Sequence, residues 1–570
     1  MSQADPDFDA IVVGSGMSGG WVAKELCERG LKVCVLERGR ELEPSVDYKD
    51  MLEPWERRYL GMATPEEVAR QPIQSKVYAY NGETNHYFVD DLDHPYETAP
   101  GTTYRWTRGY HTGGRSMMWA RQSYRWSPMD FEANAKDGHG VDWPIRYDDL
   151  APWYDHVERF AGIAGTKEGL EQLPDGEFLP AMGLNCAEER FKAGVEAAFP
   201  GRRVIPGRNA NLSEPQPHHL ALGRGKCQVR SRCERGCSLG AYFNSNVATL
   251  PAARRTGNLT LITHAAAHSV TRDLATGRAT GVRVVDQQTK ERRTYTARLV
   301  FLNASTINTA LILLNSADEA NPRGLANGSD QVGRNMMDHV EGAFAWGVMD
   351  GPGLDDAYVW GRRPNGFYIP RFRNVTENGD GYVRGYGYQG GAARIGWSGG
   401  REGVGEAFKA ANRTPGAWYF WIKAFGEILP HPDNRVTIAK GRTDKWGLPI
   451  PRMDVRYGEN ERRLMRQASK DALAMAKAGG LTVTGTTEEG EMQLSDPGDA
   501  IHEMGAARMG RDPATSVLNA HCQAHEVPNL FISDGAAMTS SACQNPSLTY
   551  MALSARAANH AADLLQAGVV

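Results

Sequence analysis

The chain has 570 residues, a formal net charge of −4, and 41% hydrophobic and 23% charged residues. Such a length exceeds one ordinary core, so two domains are expected, and the lack of a basic excess speaks against nucleic acid as a partner. No apolar run reaches ~18 residues, so no transmembrane segment is expected. The opening MSQADPDFDA has neither the charged nor the apolar region of a signal peptide.

Residues 10–13 (AIVV) form a short apolar run of the buried parallel-strand kind. A glycine turn follows, then a helix over 18–29 with Trp21, Val22 and Leu26 at helical spacing, closed by Gly30. Residues 31–36 (LKVCVL) make the next strand. Residues 45–100 show no clear periodicity. Residues 109–119 read as a glycine-bearing loop, and 143–157 as the start of a helix after Asp148 and Asp149. Residues 201–240 are loop-like. Residues 259–284 alternate like a hairpin that turns at 275–277. A buried strand over 298–302 precedes a helix through 307–314. Residues 340–455 are rich in aromatic and β-branched residues with alternation, which predicts an antiparallel sheet. A helix follows over 461–478, then a strand over 530–532 and an Ala-rich helix over 548–565.

The fold class is therefore α/β, with a Rossmann-like dinucleotide domain interleaved with a domain built on an antiparallel sheet. The two characters alternate along the chain, so both domains are read as discontinuous. The first comprises 1–45, 100–135, 215–335 and 490–570; the second comprises 46–99, 136–214 and 336–489.

Gly14-Ser15-Gly16-Met17-Ser18-Gly19 is G-x-G-x-x-G between a strand and a helix. Glu37 ends the next strand. Gly14 permits the tight turn, Gly16 lets a pyrophosphate approach the backbone, and Gly19 lets helix and strand pack closely. N–H groups at the helix start, near Ser18, suit phosphate, and Glu37 suits ribose hydroxyls. Gly16–Gly20 also spells G-x-S-x-G; its overlap with a complete dinucleotide fingerprint makes that a coincidence of letters.

Near the end come His502-Glu503-Met504-Gly505-Ala506-Ala507-Arg508-Met509-Gly510, then a strand closing at Asp534-Gly535, then Asn545-Pro546. This ordered set resembles the glucose–methanol–choline oxidoreductases. With the N-terminal fingerprint, the Gly113-Gly114-Arg115-Ser116 loop and Trp143-Pro144, the likeness spans nearly the whole chain. It implies FAD and oxidation of a hydroxyl by hydride transfer. It implies His502 as the base and Asn545 as its partner, a task that suits an imidazole of near-neutral pKa. It places Asp534 and Gly535 by the flavin, together with Gly113, Gly114, Ser116 and Pro546. Asn545 can also be read as a cap of the last helix, and Asp534 as a strand-end turn residue. Some members tether FAD through a histidine after the Gly-Gly loop. Met118 stands there, so the FAD is expected to be non-covalent; Met117, Met118 and Trp119 can equally be apolar packing.

Cys227, Cys233 and Cys237 give C-x5-C-x3-C in an Arg-rich loop. Zinc prefers four ligands, which His218 or His219 would have to complete; unliganded or disulfide-bonded cysteines are the other plain readings. The spacing resembles the loop that holds a [3Fe–4S] cluster in catalytic subunits of bacterial FAD-dependent glucose dehydrogenases. Residues 233–246 resemble those of glucoside 3-dehydrogenases. Arg224, Lys226, Arg230, Arg232 and Arg235 would then offset the cluster's charge. The resemblance implies a sugar or glycoside substrate, a small signal-bearing helper subunit and a c-type cytochrome. It also implies a periplasmic place reached by co-export, with a cytoplasmic enzyme as the alternative. A pyranose-oxidase-like enzyme and a non-catalytic FAD-binding protein are the rivals.

Overall fold

The computed structural model describes residues 6–570 apart from 355–363, 377–378, 380, 395–403, 414–415 and 489–492. Part of the polar N-terminal stretch, residues 1–5, thus lies outside the described residues, as do pieces of the region read as an antiparallel sheet.

Strand β1 (Phe8–Val13), helix α1 (Met17–Glu28) and strand β2 (Val33–Leu36) form the N-terminal β–turn–α–β unit. The strands are buried along their length because their runs of Ile, Val and Leu are covered on both faces. The parallel part of the sheet runs Leu259–Ile262, β2, β1, Arg292–Leu302 and Leu530–Ile532. Its C-terminal strand ends meet at the glycine turn, where an open α/β sheet presents its ligand site.

The hairpin reading of 259–284 is corrected here. Leu259–Ile262 is a parallel edge strand of the dinucleotide sheet, and His264, at φ +56°, breaks the chain before the hairpin proper. That hairpin pairs Ala265–Arg272 with Ala279–Asp286. The strand read over 298–302 extends back to Arg292. Its first half pairs antiparallel with Ala279–Asp286, and its second half pairs parallel with β1. The helix read as following Asp148 and Asp149 starts at Tyr147, so both acids sit in its first turn, where the helix dipole favours them. Residues 45–100, read without periodicity, hold the helix Pro65–Arg70, capped by Thr64.

The second sheet is antiparallel, ordered Thr482–Thr486, Phe344–Met349, Trp418–Glu427, Tyr386–Arg394, Phe367–Ile369 and Ile205–Pro206. Strand Trp418–Glu427 alternates in burial. Phe420, Ile422 and Ala424 are fully buried, and a Cβ on Gly426 would meet Leu464 at 2.5 Å, so this face lies against helix Glu459–Ala478. The period of two turns Lys423 and Phe425 to the opposite face, toward the dinucleotide sheet. Gln389 stands directly across from Lys423 in the neighbouring strand. Residues 435–454, read as part of this sheet, instead form a smaller one with Glu97–Thr98. No described helix is long and apolar enough to cross a membrane.

Candidate active site

A cavity of about 320 Å³ runs between the two sheets, from the glycine turn to the end of the chain's last loop. At one end the three fingerprint glycines show three different constraints. Gly14 has φ +96°, and a Cβ there would fall 2.4 Å from the Asn303 carbonyl oxygen. A Cβ on Gly19 would fall 1.9 Å from the Gly14 oxygen, so helix and strand touch there. Gly16 meets nothing nearer than 3.8 Å, so its bare backbone faces open space. That is the cradle a pyrophosphate requires, beside the start of α1 and the buried Ser18. Glu37 lines the same end. It accepts from the Ser15 hydroxyl at 2.6 Å and from the Gly39 N–H at 2.9 Å. The buried Oδ1 of Asn303, which has no partner, lies in the same wall.

The Gly-Gly loop closes over this end. Gly113, at φ +80°, donates its N–H to Ser15 Oγ, and its carbonyl accepts from Ser116 Oγ. Gly114, Ser116, Met118, Asp534 and Gly535 line the cavity; Gly19, Gly113 and Pro546 support it from behind. Met117 is fully buried against Tyr48, whereas Met118 and Trp119 face the cavity. Burial lifts the Asp534 carboxyl to about 6, and its two oxygens accept from Thr309 Oγ1 and the Ala536 N–H.

At the other end the chain brings together side chains from four distant segments. His502 Nε2 lies 3.2 Å from Asn545 Nδ2. Asn545 Oδ1 accepts from Gln389 Nε2 at 2.8 Å, which fixes which way the Asn545 amide points. The cap reading of Asn545 is not what the structure shows. Pro546 holds the N-cap position of helix Ser547–Gln566, and the Asn545 side chain is spent on His502 and Gln389. His502 Nδ1 lies 2.9 Å from His339 Nδ1, and His339 Nε2 lies 2.5 Å from the Ala542 carbonyl oxygen.

These contacts determine the proton positions. A carbonyl only accepts, so His339 carries its proton on Nε2 and its Nδ1 is a bare acceptor. His502 must then donate from Nδ1, which leaves a lone pair on Nε2 facing Asn545 and the cavity. Burial holds both rings neutral. It brings His339 down to about 4 and His502 well below its ordinary value, the latter helped by the adjoining His339 and by the positive Arg115 and Lys423.

Asp338 anchors the pair. Its Oδ1 accepts from the backbone N–H of His339 at 2.8 Å and of His502 at 2.9 Å. Burial, then the nearby Glu503, pushes this carboxyl far above its usual range. Asn carries the same acceptor. Asp338→Asn should therefore keep turnover within about threefold, while Asp338→Ala, which frees both backbones, should lower it by up to ~10²-fold, the usual cost of a small misplacement. Steady-state kinetics of the two variants check this. The same three residues hold the only set of metal-type ligand atoms within 4.8 Å of one another among the described residues. Their hydrogen bonds to each other and to Ala542 account for the cluster.

His339, Gln389 and Asp338 were not visible as site residues in the sequence. Neither was the half-buried pair Glu341–Lys423, 2.5 Å apart in the cavity wall, nor Arg115–Glu503 at 2.6 Å. The only available signal was the period of two that aims Lys423 and Gln389 at the cavity.

The cysteine loop is tied to the segment that holds the cavity-lining residues Met118 to Ala120 and Gln122: the Ala210 N–H donates to the Arg121 carbonyl, and the adjoining Asn211 donates to Cys227 Sγ at 3.9 Å. All eight cysteines are free thiols, which removes the disulfide reading. The three loop sulfurs are not all within 4.8 Å of one another, whereas one tetrahedral zinc would draw its sulfurs to ~3.8 Å. Neither His218, whose Nε2 lies by the Arg159 carbonyl, nor His219, whose Nδ1 accepts the Gln216 N–H, groups with the thiols as a ligand set, so the geometry does not support zinc. The loop arginines are also corrected. Arg230 pairs with Asp50, Arg232 with Glu53 and Arg235 with Glu83. Arg224 donates to the Phe160 and Ala161 carbonyls at the end of helix Tyr147–Ala161.

Comparison with known proteins agrees with this geometry. Two family models, both described as GMC oxidoreductase, match residues 8–341 and 430–554. The chain belongs to the glucose–methanol–choline oxidoreductases. It is 28% identical to the fructose dehydrogenase large subunit of Gluconobacter japonicus, over 100% of both chains. It is 28% identical to 2-methyl-1,2-propanediol dehydrogenase of Mycolicibacterium austroafricanum, over 98% of this chain and 96% of that one. The crystal structure of pyridoxine 4-oxidase from Mesorbium loti aligns with a TM-score of 0.61 at 18% identity, covering 97% of this chain and 98% of that one. The chain is thus an FAD-dependent oxidoreductase acting on CH–OH groups of alcohols or sugars.

Proposed function

We propose that the chain oxidises a secondary hydroxyl of a sugar, at C3 of glucose or a glucoside, to a 3-keto sugar. The observation that carries this is the bare Nε2 of a neutral His502 beside the Asn545 amide, at the end of a cavity whose wall offers Gln389, Lys423 and Glu341. Those polar groups suit a polyhydroxylated substrate, and Phe425 and Trp119 offer apolar faces for a sugar ring. His502 Nε2 takes the hydroxyl proton, and Asn545 Nδ2 holds the substrate oxygen with its second N–H. FAD, when bound along the glycine turn, supplies the hydride acceptor. No histidine stands at Met118, which favours a non-covalent flavin.

Cys227, Cys233 and Cys237 then hold a [3Fe–4S] cluster that passes electrons singly to a c-type cytochrome. Two features support this: three free thiols from one loop, and a buried Arg121 whose Nε has no partner. The name of the fructose dehydrogenase large subunit fits a helper subunit here too. Met51, Trp55, Tyr59, Leu60 and Met62 are exposed on the segment that ion-pairs to the cysteine loop, a surface suited to such a partner. Co-export into the periplasm with that subunit follows from this reading.

One set of measurements on the purified protein tests it. Iron analysis should give about three iron atoms per chain. Acid precipitation should release yellow FAD into the supernatant. NMR of the product from methyl glucoside should place the new carbonyl at C3. Oxidation at another carbon would overturn the regiochemistry. Iron-free protein that consumes oxygen rapidly would overturn the dehydrogenase reading in favour of an oxidase.

A further inference from the structure

We propose that Arg121 is a redox-positioning residue: the buried cation beside the cysteine loop that raises the reduction potential of the cluster held there and so draws electrons out of the flavin site. The inference rests on the cluster reading above and says which of the chain's own residues tunes it.

Four observations converge on this side chain. It is 6% exposed and makes no direct ion pair among the described residues, although the Glu234 carboxylate of the cysteine loop acts on it at longer range. Its Nη1 donates only to the Trp119 carbonyl at 2.7 Å, and its Nε has no partner at all. A buried guanidinium left this way is costly unless negative charge lies close by. Its backbone has φ +63°, a left-handed conformation that a non-glycine residue adopts only at a cost, and such strain gathers at functional sites. Finally, it sits where flavin site and cysteine loop meet. Its neighbours Ala120 and Gln122 line the cavity, while its guanidinium lies against Tyr242, which pairs with Asn211, the residue whose amide donates to Cys227 Sγ at 3.9 Å.

The other arginines around the loop are matched elsewhere, and Lys226 is exposed to solvent. Arg230, Arg232 and Arg235 are neutralised by Asp50, Glu53 and Glu83, and Arg224 faces carbonyl oxygens at a helix C-terminus, where the dipole already satisfies it. Arg121 lies against the Tyr242 ring, its carbon 5.5 Å from the centroid, and that ring hydrogen-bonds the Met117 carbonyl. The guanidinium is therefore held in place without a direct ion pair.

The electron balance is simple. Conversion of one CH–OH to C=O delivers two electrons and two protons. The electrons leave one at a time, each adding one negative charge to the cluster before passing to a one-electron haem acceptor, two acceptors per sugar. A fixed cation beside the cluster stabilises the reduced form and moves its potential upward. Arg121 makes no direct ion pair within the chain that an uncharged replacement would break, so Arg121→Gln is expected to fold.

The test is an EPR-monitored redox titration of the wild-type holoenzyme, Arg121→Gln and Arg121→Lys, with iron analysis and anaerobic flavin reduction by sugar on each. Expected are unchanged flavin reduction in all three, a lower cluster midpoint in Arg121→Gln, and a midpoint near wild type in Arg121→Lys. Equal midpoints in wild type and Arg121→Gln would overturn the proposal, as would an Arg121→Lys midpoint as low as that of Arg121→Gln. Should Arg121→Gln fail to retain iron, the Arg121→Lys midpoint decides alone: near wild type supports the charge role, and a clear drop overturns it. Iron-free wild-type protein overturns the cluster reading itself, a separate failure that the iron analysis identifies.

Discussion

His502→Ala is expected to lower turnover by at least ~10²-fold, the usual scale for losing a general base, while the purified chain remains yellow. The argument lies in the separation of the two ends of the cavity. The flavin cradle is built from Gly14, Gly16, Glu37 and the Gly113–Ser116 loop, none of which hydrogen-bonds to His502. The base is built from His502, His339 and Asn545. Removing the imidazole strips the lone pair from the substrate end and leaves His339 Nδ1 without its donor. Substrate affinity should change far less, because Gln389 and Lys423 still line the wall. Anaerobic stopped-flow reduction of the flavin by sugar measures the step directly. A near-normal rate with flavin in place would falsify the assignment of His502. His339→Ala should show a smaller loss, since it frees the tautomer without removing the base.

The parts of this site that were legible in the sequence share one property: each is coded within a few residues. The glycine turn states its own backbone constraint, and Glu37 follows at the end of the next strand. The segment from His502 to Gly510 and the Asn545-Pro546 pair are likewise local. What was hidden is what depends on long-range pairing. His339 is 163 residues from the histidine it orients, and Gln389 is 156 residues from Asn545. A lone buried histidine in the sequence carries no mark of either role. The hairpin over 259–284 was misread because an edge strand and a hairpin strand have the same composition, and only the break at His264 separates them. The loop arginines were misread for a related reason. Their acidic partners Asp50, Glu53 and Glu83 belong to a stretch with no periodicity, so nothing local showed that those charges were already matched.

The acid limb of the kcat/KM profile is expected to lie below ~6.5, the ordinary histidine range, and a loss of folding stability should accompany it. His502 is depressed first by burial and then by His339, Arg115 and Lys423, so its Nε2 stays bare in mild acid where an exposed imidazole would be protonated. His339 is depressed to about 4 by burial, and a proton on its Nδ1 would face the N–H of His502. His219 is likewise brought to about 4; its Nδ1 accepts the Gln216 N–H, a bond that protonation destroys. The sign follows from linkage. The unfolded chain takes up protons on these rings as pH falls through about 6.5, whereas in the folded chain His339 and His219 resist until about 4 and His502 is held well below its ordinary value. Stability is therefore whole above 6.5 and declines across the window from 6.5 to 4, because the unfolded state binds more protons there. Each fully buried ring contributes on the order of a few kcal/mol. Thermal unfolding of the holoenzyme at half-unit steps from pH 7.5 to 4 reads the decline, and His219→Gln, which removes one titrating ring, should make it shallower. A midpoint temperature that is flat across that window, or a kcat/KM profile that falls off near 6.5, would show that these rings are protonated in the native state and would undo the tautomer assignment on which the base depends.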